Sequence, residues 1–157
     1  MTPYLTPLNQ TALQTAGVPH GWAFGIADKV RFHELDALNH VNNVAYFRWF
    51  ETLRIPYFRE YGLSDYGDDD PQVVVISNTA NYHAPLFLND SYIVTGRTAS
   101  FRATSFRMEY AVFAGGLKTT GEAVMVCLER DGKTKRPLPD TVRKVFGARD
   151  GAIDENA

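Results

Sequence analysis

Residues 30–51 read VRFHELDALNHVNNVAYFRWFE, and this stretch decides the fold. From about residue 43 to residue 61 the chain is apolar on nearly every side, and the segment is too long for a strand. A helix without a polar face must be enclosed by other elements. Pro56 should kink or restart this helix, and Gly62 is a plausible C-cap. We therefore predict a long buried helix.

Strands are predicted on both sides of this helix. Before it, residues 22–33 alternate, with Trp22, Phe24, Ile26, Val30 and Phe32 on one face and Asp28 as the exception. After it, four segments have strand patterns: residues 72–83, 90–101, 104–113 and 117–129. Gly115 and Gly116 mark a hairpin between the last two. Short connections favour antiparallel neighbours, so the pattern predicts an α+β fold in which a five-stranded antiparallel sheet wraps a central helix.

Such a sheet leaves edges and apolar surface uncovered, and association with a second copy would cover both. We therefore expect a homodimer or a dimer of dimers. Residues 1–21 have no sustained period and are predicted to form a surface arm. Residues 22–147 form the domain, with a short helix near residues 141–146. Residues 148–157 are expected to form a flexible tail.

Composition excludes several classes of protein. The chain has 157 residues, of which 45% are hydrophobic and 22% charged, as in an ordinary globular domain. The net charge of -2 provides no overall attraction to nucleic acid. The single cysteine, Cys127, excludes an intrachain disulfide framework and favours a reducing compartment. No apolar run approaches the ~20 residues of a membrane span, and residues 1–20 lack signal-peptide architecture. We expect a cytoplasmic protein that binds neither membrane nor nucleic acid.

Polar side chains are concentrated where the helix should begin. Five lie within eight residues: Asp36, Asn39, His40, Asn42 and Asn43. Asparagine and aspartate at a helix entry ordinarily cap free N–H groups. Capping needs only one or two such residues, so the concentration favours a functional site as well.

Acyl transfer is a reaction that this arrangement could promote. The N–H groups near Asn42 to Val44 and the positive end of the helix dipole can stabilise an oxyanion. Asp36 can reach the same carbonyl carbon, either as a nucleophile or through a water that it deprotonates. His40 could orient that water or a leaving sulfur. Esters and thioesters both fit this chemistry.

The same stretch resembles a known family. Ten residues after Asp36 comes Tyr46, which is followed by Trp49, Phe50 and Glu51. These marks, with Tyr82 and Pro85 and with Thr104 to Phe106, resemble the hotdog-fold thioesterases of the 4-hydroxybenzoyl-CoA thioesterase-like branch. The run from His40 to Asn43 is similar to the His-Val-Asn-Asn run of acyl-ACP thioesterases. The resemblance covers residues 30 to 129.

That resemblance implies a hotdog fold and hydrolysis of an acyl thioester carried by coenzyme A or acyl carrier protein. It implies that Asp36 is the catalytic carboxylate and that the Asn43 amide polarises the carbonyl. His40 corresponds to the histidine of the acyl-ACP group. Leu38 departs from that group, which often has asparagine there, and this puts a mechanism that needs the asparagine in doubt. We also expect three residues to bind substrate: Asn42, Val44 and Tyr46.

Other candidates have simpler explanations. A second branch of the family carries its carboxylate within the helix, and Glu51 is the comparable residue here, although a structural role is favoured. His33 should lie on the surface, and His20 and His83 have no partners at metal-ligand spacing. We expect neither a metal nor a cofactor. Cys127 lies in an apolar run and should be a buried hydrophobe.

Several alternatives stay open from sequence. The aromatic stripe of the helix is core or acyl pocket, with core favoured. Six basic residues could hold coenzyme A phosphates or simply be solvated: Arg97, Arg102, Arg107, Lys133, Lys135 and Arg136. The absence of a Gly-rich phosphate loop and of a Gly-x-Ser-x-Gly motif argues against nucleotide and serine hydrolases. A non-catalytic acyl-binding protein and a hydratase or dehydratase are the alternative functions.

Overall fold

A 17-residue helix, α2 (Ala45–Tyr61), packs on one face of an antiparallel sheet in the computed structural model, which describes residues 2–156. The strands are β1 (Gly25–Lys29), β2 (Gln72–Tyr82), β3 (Ser91–Phe101), β4 (Ser105–Phe113) and β5 (Leu117–Leu128). Their order is β1-β3-β4-β5-β2, and all of these neighbours are antiparallel. The predicted five-stranded antiparallel sheet around a helix is confirmed.

Aromatic side chains and close glycines hold α2 against the sheet. Trp49 stacks on Tyr92 with ring centroids 3.9 Å apart, and Phe50 stacks on Tyr110 at 4.4 Å. A Cβ atom on Gly121 of β5 would lie 2.6 Å from the Phe50 ring, so glycine permits this approach. The aromatic stripe is therefore mainly core.

The ends of α2 agree with the prediction more closely than its middle. Gly62 adopts a left-handed conformation with φ of 82° and caps the helix, as expected. The helix continues through Pro56, so of the two predicted effects of this proline, a kink or a restart, the restart is wrong. No helix among residues 2–156 is both long and apolar enough to cross a membrane.

The first strand is shorter than predicted. It ends at Lys29, and residues Phe32–Glu34 form a 3-10 turn instead of continuing it. The Arg31 N–H donates to Glu34 Oε1 at 2.8 Å, which turns the chain out of the sheet. Phe32, predicted to face the core, is 79% exposed.

Both termini are more ordered than the sequence pattern indicated. In the predicted arm, Leu8, Leu13 and Val18 pack with Ala27 on the sheet face opposite α2, and Gln10–Thr15 form helix α1. Helix α3 (Asp140–Asp150) extends beyond the predicted residue 146. A sixth strand, β6 (Ile153–Asp154), pairs in parallel with β3 within the predicted flexible tail. This pairing and the length of α3 correct the prediction for residues 148–157.

Candidate active site

Asp36 is held by a tight turn in the loop between β1 and α2. Its Oδ1 accepts the backbone N–H groups of Leu38 at 2.8 Å and His40 at 3.2 Å. Its own N–H donates to the His40 carbonyl at 2.8 Å, and Asn39 turns the chain with φ of 63°. The structure gives the second carboxylate oxygen no donor within residues 2–156. The half-buried side chain is therefore fixed in place, with one oxygen left for other contacts.

Asn42 accounts for several of the hydrogen bonds at the entry of α2. Asn42 Oδ1 accepts the Val44 N–H at 3.0 Å, and the Asn42 carbonyl accepts the Ala45 N–H at 2.9 Å. The Asn42 N–H donates to the Glu34 carbonyl at 2.7 Å. Capping thus explains Asn42. In the part of the chain that the structure describes, the Asn43 N–H has no acceptor, so the predicted set of donors narrows to Asn43.

These groups open onto one depression of about 530 Å³. It is lined by Asp36, His40, Val41, Asn43, Tyr46, Tyr82, His83, Ala84 and Pro85. The structure thus brings together four of the predicted site residues, Asp36, His40, Asn43 and Tyr46. It does not place Asn42 or Val44 in the lining.

Two tyrosines form one wall of the depression. Tyr46 is buried, and its ring contacts Trp49 at 4.8 Å and Tyr82 at 5.3 Å between centroids. Burial raises the pKa of the Tyr46 hydroxyl, so Tyr46 stays protonated at neutral pH. The Tyr82 hydroxyl donates to the Asn43 carbonyl at 2.7 Å. Tyr46 therefore lines the site as a neutral group. The hydrogen bond from Tyr82 links the entry of α2 to the end of β2.

The two histidines of the site have different surroundings. His40 packs edge-on against Phe87, with ring centroids 5.2 Å apart. His83 Nε2 lies 3.1 Å from Thr120 Oγ1 on β5. Sequence reasoning missed His83 as a lining residue, although the nearby pair Tyr82 and Pro85 was a signal. His83 directly follows β2, so its position depends on where β2 lies in the sheet. The local sequence pattern does not reveal that β2 is an edge strand.

The remaining carboxylate, thiol and histidine candidates lie away from this depression. Glu51 is exposed on α2 and lines a separate depression with Asp28 and Glu34. Burial raises the pKa of the Cys127 thiol to about 12, which agrees with an inert buried residue. His33 is exposed, as predicted. No group of three or more histidine, cysteine, aspartate or glutamate side chains within residues 2–156 is placed to hold a metal ion.

Three of the arginines considered for phosphate binding are paired with carboxylates. Arg97 pairs with Glu109 at 3.0 Å, and Arg102 pairs with Glu155 at 2.9 Å. Arg107 contacts both Glu109 and Glu122. These ion pairs favour a structural role for the three arginines on the surface of the sheet over a role in binding phosphate.

A long helix on one face of a five-stranded antiparallel sheet, with a depression at the helix entry, defines the hotdog thioesterase class of fold. The family model described as the Thioesterase-like superfamily matches residues 30–146, and the chain belongs to this family.

Solved structures support this assignment. The chain is 40% identical to a thioesterase-superfamily protein from Jannaschia sp. CCS1, with a TM-score of 0.93 over 97% of this chain and 98% of that one. It is 33% identical to a thioesterase from Thermus thermophilus that was solved in complex with coenzyme A and Zn. That comparison has a TM-score of 0.73 and covers 85% of this chain and 98% of the other. Together these matches support an acyl thioester hydrolase in the broad sense.

Proposed function

We propose that the protein hydrolyses acyl thioesters, with Asp36 as the catalytic carboxylate and the Asn43 N–H as the oxyanion donor. One observation carries the proposal: a fixed carboxylate and an amide line the same depression, and within residues 2–156 the carboxylate has an oxygen without a donor and the amide has no acceptor. The carbonyl oxygen of a thioester would accept from Asn43, while Asp36 faces the carbonyl carbon. The coenzyme A bound to the Thermus thermophilus thioesterase favours coenzyme A as the carrier.

The reaction consumes one water and yields a carboxylic acid and a thiol. In the general-base route Asp36 takes a proton from water, and the resulting hydroxide adds to the carbonyl carbon. The oxyanion then collapses, the carbon–sulfur bond breaks, and the thiolate is protonated. In the nucleophilic route Asp36 itself adds to the carbon and expels the thiolate, and water then cleaves the mixed anhydride. His40 lines the depression and is our candidate for orienting the water or the sulfur.

A thiol-release assay across acyl-CoA and acyl-ACP substrates tests the proposal. Asp36→Asn should abolish turnover and leave the fold intact, since the amide is nearly isosteric. Asp131→Asn is the matched control, because Asp131 Oδ1 also accepts two backbone N–H groups, those of Lys133 and Thr134, outside the site. Turnover by Asp36→Asn at the parent rate would exclude Asp36 from the chemistry. A parent that binds acyl-CoA and releases no thiol would instead support the acyl-binding alternative.

The two chemical routes can be separated by a single turnover in ¹⁸O-labelled water. In the nucleophilic route, attack of water on the aspartyl carbon of the anhydride transfers an oxygen of Asp36 to the product and puts label into the carboxylate. Attack of water on the acyl carbon, and the general-base route, both put label only into the product acid. Label in the peptide that contains Asp36, measured by mass spectrometry, therefore identifies the nucleophilic route.

We also propose that the protein is a homodimer joined through β2. This strand has 11 residues and lies at the edge of the sheet, and Val74, Val75 and Ile76 are exposed on it. The depression opens beside Tyr82 at the end of the same strand, so a second copy would help to enclose it. Ile76→Asp should give monomers in light scattering and reduce hydrolysis. Ile153→Asp is the control, because Ile153 is similarly exposed on β6. A monomeric parent at micromolar concentration would contradict this proposal.

A further inference from the structure

Glu34 is a buried residue that accepts hydrogen bonds from both ends of the loop that carries Asp36. Its Oε1 accepts the Arg31 N–H at 2.8 Å, where the loop begins. Its backbone carbonyl accepts the Asn42 N–H at 2.7 Å, where the loop meets α2. Only 9% of Glu34 is exposed, so water competes weakly for these bonds. One residue therefore fixes the loop at its two ends.

The same carboxylate is anchored to the core by a third bond. Its Oε2 accepts the indole N–H of Trp49 at 2.6 Å. The Trp49 ring is 4% exposed, stacks on Tyr92 and packs against Tyr46. An indole held on both sides is a rigid donor. The position of Glu34 is therefore set by the packing of α2 on the sheet.

The two groups of the proposed reaction lie next to these anchor points in the chain. Asp36 follows Glu34 by two residues, and Asn43 directly follows Asn42. A shift of Glu34 would thus move the carboxylate and the amide relative to each other. A misplacement of about 1 Å at a reacting centre can reduce a rate about a hundredfold.

We infer that Glu34 is a positioning residue: its bonds to Trp49 and Asn42 set the distance between the Asp36 carboxylate and the Asn43 amide. The inference rests on the proposed hydrolase function. A purely structural role for Glu34 makes a different prediction, because it would lower stability and leave kcat unchanged.

Two conservative substitutions test this inference. Trp49→Phe removes the indole N–H and keeps an aromatic ring for stacking. Glu34→Gln keeps the shape of the side chain and replaces one acceptor oxygen by an NH₂ group. We expect each variant to lower kcat by about tenfold and to leave KM within about twofold of the parent. Glu51→Gln is the control, because Glu51 is an exposed carboxylate lining the same depression as Glu34 and should keep the parent kcat.

A second measurement needs no substrate. Amide hydrogen exchange followed by NMR reports on the Leu38 and His40 N–H groups, which donate to Asp36. Both amides should exchange faster in Glu34→Gln and Trp49→Phe than in the parent and the Glu51→Gln control. If the parent releases no thiol from any substrate, the proposed function fails, while the exchange rates still test Glu34. Parent values of kcat accompanied only by a lower melting temperature, or unchanged exchange at the two amides, would overturn the inference.

Discussion

The Tyr82 hydroxyl donates to the Asn43 carbonyl at 2.7 Å and joins the end of the edge strand β2 to the entry of α2. The N–H group of Asn43 has no acceptor among residues 2–156. The Tyr82 bond therefore fixes the backbone on one side of the proposed oxyanion donor. Because β2 is also the proposed dimer edge, the same tyrosine connects subunit contact with the geometry of the site.

Tyr82→Phe should lower kcat several-fold, because the ring still packs on Tyr46 while the Asn43 carbonyl loses its donor. The free energy of unfolding should change by less than about 1 kcal/mol, since the hydroxyl is near solvent. Thiol release and urea unfolding measure the two effects. Tyr4→Phe is the control, because the Tyr4 hydroxyl makes a comparable 2.7 Å bond to Ser91 Oγ outside the site. A parent-like kcat for Tyr82→Phe would show that the Asn43 carbonyl contact has no part in catalysis.

Close packing of α2 on the sheet gives a second prediction. Gly121→Ala places a Cβ atom 2.6 Å from Phe50 Cε2 and 3.1 Å from the Thr79 carbonyl, so one of them must shift. We expect a loss of about 1–3 kcal/mol in the free energy of unfolding, measured with urea. Gly147→Ala is the control, because no atom lies within 4 Å of its Cβ position in α3. That change should stabilise the helix by up to about 1 kcal/mol. If the parent and Gly121→Ala had equal free energies of unfolding, Phe50 and the neighbouring backbone would accommodate the added Cβ atom without a loss of stability.

The strongest sequence patterns predicted their elements well, because those elements are determined by local apolar periodicity. The predicted strand over residues 72–83 is β2 (Gln72–Tyr82), and the predicted helix over residues 43–61 is α2 (Ala45–Tyr61). The same locality explains the site loop. Asp36, His40 and Asn43 lie within eight residues, so the sequence alone could predict that they share a depression.

Features that depend on distant polar contacts were missed. Glu34 turns the chain out of β1 through the Arg31 N–H, and nothing in the alternation of residues 22–33 indicates this. The order of the strands places His83 at the site, although His83 lies more than forty positions after Asp36 and His40 in the chain. The C-terminal segment is anchored by the polar residue Asp150, which an apolar pattern cannot reveal.

Asp150 is a half-buried carboxylate at the end of α3. It accepts hydrogen bonds from the hydroxyls of Tyr57 and Tyr61, the latter at 2.6 Å, and from the Thr98 N–H at 2.8 Å. Burial raises the pKa of Asp150 above its ordinary value, even though these bonds and nearby Arg149 favour the ionised form. The carboxylate thus links α3 to α2 and β3 while carrying a desolvation cost.

That raised pKa predicts how the stability of the protein depends on pH. Between the ordinary carboxyl pKa and the raised value, folded Asp150 keeps a proton that the unfolded chain releases, so its contribution to stability falls as pH rises. Asp150→Asn cannot titrate, so the advantage of the parent over this variant in free energy of unfolding should shrink as pH is raised from about 4. Urea unfolding of both proteins at a series of pH values measures the difference. If the advantage grew with pH instead, the hydroxyls of Tyr57 and Tyr61 would outweigh burial, and the pKa of Asp150 would be lowered in the folded state.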